Sequence, residues 1–577
     1  MTQKFDTIIK NGLIYDGLGS APYVADIGIA AGQIAGIGQL NDDGAERFDA
    51  SGLMVTPGFV DIHTHYDGQA TWEHRMAPSS GHGVTTVLTG NCGVGFAPCK
   101  PHERDNLVKI MEGVEDIPEV VMTEGLPWSW ETFSEYLDVL GSRSFDLDIA
   151  TQVPHSAIRI YVMGDRAVTY DPPNAQDLSA MRDITAEAIR AGAFGVSTSR
   201  NIMHRTVAGE LAPSLFSETD ELLALASGLR DAGAGVFQMI PAITAPADEE
   251  FGLMRKIATQ AQRPLSFSLL QIPTDEVGEW RNFLNHLDEA KKDGLPIKAQ
   301  VAPRPVGMLY GLDLSFHPFA LHPSFQPLRH KSLAEKVAAM KDPALRAQLL
   351  AEQAESTNPI TLKIVENCKF GYMLGDPPNY EPALEDRIDQ RAAAAGLSVE
   401  EYAYDLLLEN DGKAIIYNPG ANYRDQNLDA VHEMLRHQQT LVALADGGAH
   451  YGMICDGSFP TYFLIRWGRD AAAHEKIPMP DVIAALTSQP ADAVGLIDRG
   501  RISLGSKADL NIIDLSSLYL RAPEMRQDLP AGGKRLVQLA DGYRAVFVSG
   551  VKTYDDGVAT GALPGKLVRN TAAQLAH

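Results

Sequence analysis

The sequence predicts an α/β protein: a (β/α)8 TIM-like barrel joined to a small β-domain that both ends of the chain build together. Three observations carry this reading. Eight apolar runs, each ending near Gly, Asn, His, Gln or Asp, alternate with helix-like segments, as repeated βα units do. Short strands broken by glycine turns recur at both termini. A His-x-His pair, His63 and His65, stands where the first run ends.

At the N-terminus, residues 6–14, 25–29 and 33–38 alternate strand-like stretches with glycine turns. Residues 500–514 and 545–550 repeat that character, so 1–57 and 497–577 are expected to form one domain and 58–496 the barrel. The first barrel run leads through 53–60 into the two histidines. The second, 84–88, ends near Cys92; the third, 147–153, ends at His155. The fourth, 194–196, follows the helix-like 181–191, and the fifth, 235–240, carries Gln238. The sixth is 265–270, the seventh 297–301 ending near Arg304, and the eighth 440–445 ending at Asp446. Eight is the number a closed barrel needs. The stretch between the last two runs far exceeds an ordinary connection. Part of it, about 305–395 with His317, His322 and the Asp376-Pro377-Pro378 turn, would emerge at the C-terminal face and cover the site as a lid.

Bulk properties narrow the function classes. A chain of 577 residues suits a large barrel plus a satellite domain, and its 45% hydrophobic content is that of a globular protein. Asp and Glu outnumber Lys and Arg by 74 to 49, for a net charge of −25, which disfavours nucleic acid or anionic membrane as partners. A small molecule is the expected ligand, and self-association into a homo-oligomer stays open. Four cysteines argue against a disulfide framework and for a reducing compartment. With no apolar run long enough to span a bilayer and no signal-like N-terminus, the expectation is a cytoplasmic protein.

Side chains two apart on a strand share a face, so His63 and His65 point the same way and form half of a metal site. A chance pair or a strand cap is the alternative. Asp446 ends an apolar run and is followed by Gly447 and Gly448, which let backbone approach a ligand closely. Its carboxylate can ligate an ion through one oxygen and take a proton from attacking water through the other; helix capping is the alternative. A divalent ion held by these three would generate hydroxide at neutral pH and polarise a carbonyl, which is the chemistry of amide, cyclic amide or ester hydrolysis. Zinc comes first for nitrogen and oxygen donors with an optional thiolate, ahead of manganese, iron or nickel.

The segments Thr85-Thr86-Val87-Leu88-Thr89-Gly90-Asn91-Cys92-Gly93, Trp130-Glu131-Thr132-Phe133, Gly192-Ala193-Phe194-Gly195-Val196-Ser197-Thr198 and Thr219-Asp220-Glu221-Leu222, with both termini, resemble the N-acyl-D-amino-acid deacylase (D-aminoacylase) branch of the amidohydrolase superfamily. The resemblance spans nearly the whole chain. It implies a metal-bearing barrel flanked by a β-sandwich, hydrolysis of a C–N bond, and Cys92 as a metal ligand.

The chain then departs from that branch. It has Phe237-Gln238-Met239 and Ser268-Leu269-Leu270 where the branch has histidines after the fifth and sixth strands, and it lacks the lysine that other superfamily members place on the fourth. Three firm ligands, with Cys92 and Gln238 as additions, imply at most one tightly held ion. His155 is expected as an oxyanion donor or substrate ligand, and His450 and His204 are candidates for the pocket. Arg200 and Arg304 could each hold a substrate carboxylate by a bidentate fork. The leading reading is a metal-dependent amide hydrolase. Hydrolysis of a lactone, ester or cyclic amide is the second, and a non-catalytic small-molecule binder is the third.

Overall fold

At Gly58 one domain hands the chain to the other. A Cβ there would stand 2.1 Å from Thr85 Oγ1, so the position accepts only glycine. Its N–H donates to the Asp509 carbonyl at 2.8 Å, tying the crossing point to the far end of the sequence. The computed structural model describes residues 4–41, 45–273 and 279–571. Residues 1–3, 42–44 and 572–577 of the expected terminal domain, and 274–278 of the expected barrel, lie outside the described residues.

Immediately before Gly58, Met54–Pro57 runs parallel to Thr7–Ile14 and antiparallel to Leu510–Ile513. That pairing stitches the two termini into one nine-stranded sheet, which also takes in Tyr23–Ala30, Gln33–Gly38, Glu46–Asp49, Tyr543–Val548, Val551–Asp555 and Val558–Ala559. Ile9, Ile27 and Val55 from one end share a core with Leu510, Ile512 and Phe547 from the other.

Immediately after Gly58 comes the first barrel strand, Phe59–Asp61, followed by Val84–Thr89, Asp148–Thr151 continued as Val153–Pro154, Gly195–Ser199, Val236–Ile240, Leu265–Ser268, Ile297–Val301 and Thr440–Val442. All the pairings between them are parallel. Every residue of the second, fourth and fifth strands is buried, as expected where helices cover one face and the barrel interior the other. The helix Ala175–Ala191 shows how the outer layer begins: Asn174 accepts from the Gln176 and Asp177 N–H groups, and Asp177 returns a bond to the Asn174 N–H.

The barrel closes where the first strand meets the eighth. Thr64 bridges Gly447 in parallel, His65 N–H donates to Gly447 O at 2.7 Å, and Asp446 N–H donates to His63 O at 3.1 Å. Closure itself sets Asp446 beside both histidines.

Two boundaries differ from the sequence reading. The third strand bends at Gln152, pairing with the second strand below the bend and the fourth above it. Below the bend, the fourth-strand side of the third strand is covered by the C-terminal tail. Gly565 and Phe145 exchange N–H···O bonds, Ile149 N–H donates to Lys566 O, and Val568 N–H donates to Ile149 O. Residues 565–568 therefore belong to the barrel wall, not to the β-domain.

The insert between the last two strands also runs past 395. Its core joins Tyr310, Phe319, Val337 and Leu349 to Tyr404, Leu407 and Ile416, and its antiparallel sheet ends with Ile416–Ala421. The insert touches three loops that frame the barrel mouth. Ser315 donates to Asp116 at 3.0 Å, Leu309 N–H to Met453 O at 2.7 Å, and Asn358 Nδ2 to Val207 O at 3.3 Å. No helix among the described residues is long and apolar enough to cross a membrane.

Candidate metal centre

His63, His65 and Cys92 each aim one donor atom at a common point, with those atoms within 4.8 Å of one another. Among the described residues this is the only such group of three or more His, Cys, Asp or Glu. Asp446 joins them. Its Oδ1 lies 3.4 Å from His63 Nε2 and 3.5 Å from His65 Nε2. Cys92 Sγ lies 3.3 Å from His63 Nε2 and 3.7 Å from His65 Nε2. These separations are long for hydrogen bonds and suit donors that share one ion with bonds of about 2.0–2.3 Å, His63, His65 and Cys92 forming the compact set and Asp446 approaching from the side of the two imidazoles. Asp446 Oδ1 is also buried without a hydrogen-bond partner. A buried carboxylate oxygen left unpaired is costly, and a cation would satisfy it. The residues present therefore fit one divalent ion.

The backbone is strained where the donors sit. Cys92, Asp446 and His450 have φ of 57°, 47° and 54°. Left-handed conformations of non-glycine residues cost on the order of 1–3 kcal/mol each and persist where surrounding structure fixes them. At Cys92 that structure includes Gly90 and Gly93, both with positive φ, and the Gln238 side chain, whose Oε1 accepts the Cys92 N–H at 3.3 Å.

A partner behind His63 sets its tautomer. His63 Nδ1 lies 2.6 Å from Gln300 Oε1, and Gln300 Nε2 donates to Ser266 Oγ at 3.0 Å. The Ser266 bond orients the amide so that its oxygen faces the ring, putting the His63 proton on Nδ1 and leaving Nε2 to ligate. His65 Nδ1 faces Glu115 Oε1 at 3.4 Å, and the other Glu115 oxygen lies 3.6 Å from His450 Nε2.

Burial and neighbouring charges together set the charge states. Burial lowers the His63 pKa, pushes the Cys92 thiol up to about 12, and raises Glu115 to about 7 and Asp67 to about 6. At Asp446 burial also pushes upward, but the pull of His65, His63 and His450 outweighs it and holds the carboxyl below the usual range. The two histidine side chains are 1% exposed and Asp446 is 23% exposed, so the aspartate is the face of the site that solvent reaches.

The other expected site residues divide. Gln238 and His450 lie at the donors, each with a buried unpartnered nitrogen, Nε2 and Nδ1. His204 has a buried unpartnered Nδ1, and burial together with the nearby His65 and His450 lowers its pKa to about 3.

Three expectations are corrected. His155 has both ring nitrogens engaged, at 2.8 Å from Thr198 Oγ1 and 2.8 Å from Glu221 Oε1, so neither is available to a substrate. Glu221 also pairs with Arg159, making a buried structural triad. Arg304 is buried, bonded to Asp456 and to Cys455 O, and stacked 4.1 Å over the Tyr380 ring; its fork is occupied within the protein. Arg200 donates to Glu250 at 2.9 Å and to Ser217 O at 3.3 Å.

Sequence reasoning missed Gln300 and Glu115. A glutamine inside the run Ile297–Val301 was a signal for the first. Glu115 ends the ordinary amphipathic helix Arg104–Glu115 and gave none.

Comparison with known proteins adds to this geometry. A model described as the amidohydrolase family matches residues 46–554. The D-aminoacylase of Alcaligenes xylosoxydans xylosoxydans is 27% identical over 580 residues, covering 99% of each chain. Among solved structures, a D-aminoacylase described by its binuclear metal centre superposes with a TM-score of 0.64 at 22% identity, covering 98% of this chain and 100% of that one. The N-acyl-D-glutamate deacylase of Bordetella bronchiseptica, complexed with zinc and a phosphonate inhibitor, gives the same TM-score, identity and coverages of 0.64, 22%, 98% and 100%. These structural likenesses establish a shared fold.

Proposed function

The chain belongs to the amidohydrolase family, and from that premise we propose that it is a metal-dependent hydrolase of the D-aminoacylase branch, cleaving the amide of a small N-acyl amino acid with one divalent ion. The observation that carries the reading is the convergence of His63, His65 and Cys92, with Asp446 Oδ1 within 3.5 Å of both imidazoles. These four would hold the ion, zinc first among the candidates for a nitrogen, oxygen and sulfur donor set. When bound, the ion supplies Lewis acidity, acidifying water and polarising the scissile carbonyl.

Asp446, the exposed member, takes the proton of the attacking water on its second oxygen and returns it to the leaving amine. Gln238 Nε2 and His450 Nδ1, both buried and unpartnered, supply polar contacts to the substrate. One ion rather than two follows from Gln238 and Ser268 standing where a second ion would need imidazoles. A reducing, cytoplasmic setting suits four buried free cysteines.

The test joins metal analysis of protein purified without chelator to a substrate panel of N-acyl D- and L-amino acids, a lactone and a cyclic imide. Amide cleavage that a chelator abolishes and zinc restores is the expected result. A metal-loaded protein that opens only the lactone or the imide, or turns over nothing, overturns the reading.

A further inference from the structure

Two acidic residues in succession, Glu115 and Asp116, mark the end of the helix Arg104–Glu115, and they serve different partners. Glu115 is buried behind the metal centre, with its carboxylate near His65 and His450; its carbonyl also accepts the His450 N–H. Asp116 turns the chain with φ of 51° and ψ of 40°, a left-handed cap of the kind that glycine or asparagine usually supplies. Its carboxylate reaches two further elements. Oδ2 accepts the Gly452 N–H at 3.0 Å, and the two oxygens share the Ser315 hydroxyl at 3.1 and 3.0 Å.

Gly452 lies in the loop that follows the eighth barrel strand and carries Asp446 and His450, whereas Ser315 lies in the insert. These two segments also meet directly. Ser315 N–H donates to Gly452 O at 2.9 Å, and Leu309 N–H donates to Met453 O at 2.7 Å. A Cβ at Gly452 would stand 2.1 Å from Ser315 Oγ, so the contact is closed to any side chain. One carboxylate thereby fastens a helix end, a loop and the insert at one place.

The loop needs such fastening. Asp446 and His450 both hold left-handed backbone, which persists where surrounding structure fixes it. The loop's start is tied to the first strand by the Asp446 N–H bond to His63 O. Farther on it is tied by Glu115 O at His450, by Leu536 N–H at Tyr451 O, and by Asp116 and the insert at Gly452 and Met453.

We propose that Asp116 is a positioning residue: its carboxylate clasps the loop after the eighth strand to the insert, and the clasp sets where His450 and Asp446 stand relative to His65. It acts through Gly452, two residues from His450. As a statement about rate, the proposal rests on the amide-hydrolase reading above. Misplacing reacting groups by about 1 Å costs on the order of 10²-fold.

Three variants test it. Asp116→Gly keeps the left-handed turn and loses the carboxylate; Asp116→Asn keeps an acceptor for Gly452 and a polar partner for Ser315; Ser315→Ala removes the insert's half alone. With an N-acetyl amino acid that the native protein cleaves, Asp116→Gly should lower kcat about 10–100-fold, change KM less than kcat, and keep its metal. Asp116→Asn should stay within about threefold of native, and Ser315→Ala should fall between the two. Hydrogen exchange on the protein as purified reads the clasp without turnover. The amides of 450–453, Leu309 and Ser315 should exchange about tenfold faster in Asp116→Gly, with barrel-strand amides unchanged.

Native kcat in Asp116→Gly, or a loss that Asp116→Asn shares in full, overturns the positioning role and leaves the hydrolase reading standing. Where Asp116→Gly does not fold, Ser315→Ala carries both comparisons, and native kcat and exchange there overturn the proposal. If the native protein cleaves no N-acyl amino acid, the hydrolase reading fails and exchange decides the clasp. Faster exchange on both the loop and the insert supports it, and unchanged exchange overturns it.

Discussion

At the ends of the first, second and eighth barrel strands, three donors converge and Asp446 faces two of them, three residues adopt left-handed backbone, and a buried carboxylate oxygen has no partner. At the ends of the fifth and sixth strands stand Gln238, Ile240 and Ser268, and an apolar hollow lies between these strand ends and the helix Glu279–Lys292. Both sides belong to one barrel, the first and second strands in its three-stranded sheet and the fifth and sixth in its six-stranded one, and they differ in the residues they carry at the strand ends. The polar side concentrates desolvation and strain that only a cation relieves. One wall gathers donors for an ion, and the other gathers none.

The largest expected effect comes from removing the polar side. His63→Ala with His65→Ala should lower metal content from one ion per chain to none and hydrolysis to background, with far-ultraviolet circular dichroism unchanged, because the barrel has its own core. Retention of the ion by the double variant would reassign the ligands. Asp446→Asn keeps the shape and loses the basic oxygen, so kcat should fall about 10²–10⁴-fold; near-native turnover would take Asp446 out of the chemistry.

A polar cluster on neither side makes a control. Burial alone would raise the Glu221 carboxyl, but His155 and Arg159 outweigh it and hold the group below its ordinary range. Its stabilising contribution is thus complete above the unfolded-state pKa and fades as pH falls through the folded-state value. Glu221→Ala strands Arg159 and should cost about 3–5 kcal/mol in denaturant unfolding at neutral pH. It should narrow the stability gap to the native protein as pH falls, and leave metal content intact. Loss of metal in that variant would tie His155 to the centre after all.

Gln300→Leu removes the acceptor that fixes the His63 tautomer, and metal affinity measured by chelator competition should weaken about 10–100-fold. Unchanged affinity would mean that packing alone orients the ring. The smallest change converts one side into the other. Gln238→His with Ser268→His should raise the tightly held metal from one ion per chain toward two, counted by mass spectrometry. A count that stays at one would show that more than the missing imidazoles limits the site.

Much of the architecture was legible in the chain because barrel strands are buried on both faces and read as continuous apolar runs. The run 297–301 matches its strand, and 84–88 falls one residue short of Val84–Thr89. His63, His65 and Asp446 stood out because polar side chains at the ends of such runs have few structural reasons to be there. What stayed hidden depends on distant partners. The Gln300 contact with His63 spans 237 positions, and the Arg304 contact with Asp456 spans 152. Nothing near Arg304 in sequence distinguishes a guanidinium held by Asp456 and Tyr380 from one left open to a substrate. His155 looked catalytic for the same reason: its position after the third strand is visible, whereas Glu221 and Thr198, which occupy it, arrive from other elements.

The C-terminal tail along the third barrel strand bears on how the molecule is made. Lys566 N–H donates to Asp148 Oδ1 across 418 positions, and its neighbours complete the wall between the third strand and the fourth. A ribosome threads out the metal ligands, the insert and the eighth strand before it delivers those closing residues. Until then the nascent barrel carries an open seam with unpaired N–H and C=O groups at Phe145 and Ile149, a template for any other extended chain nearby. Assembly of the donor face and sealing of the barrel are thereby separated in time, because residues 565–568 are made after the eighth strand and remove the exposed edge.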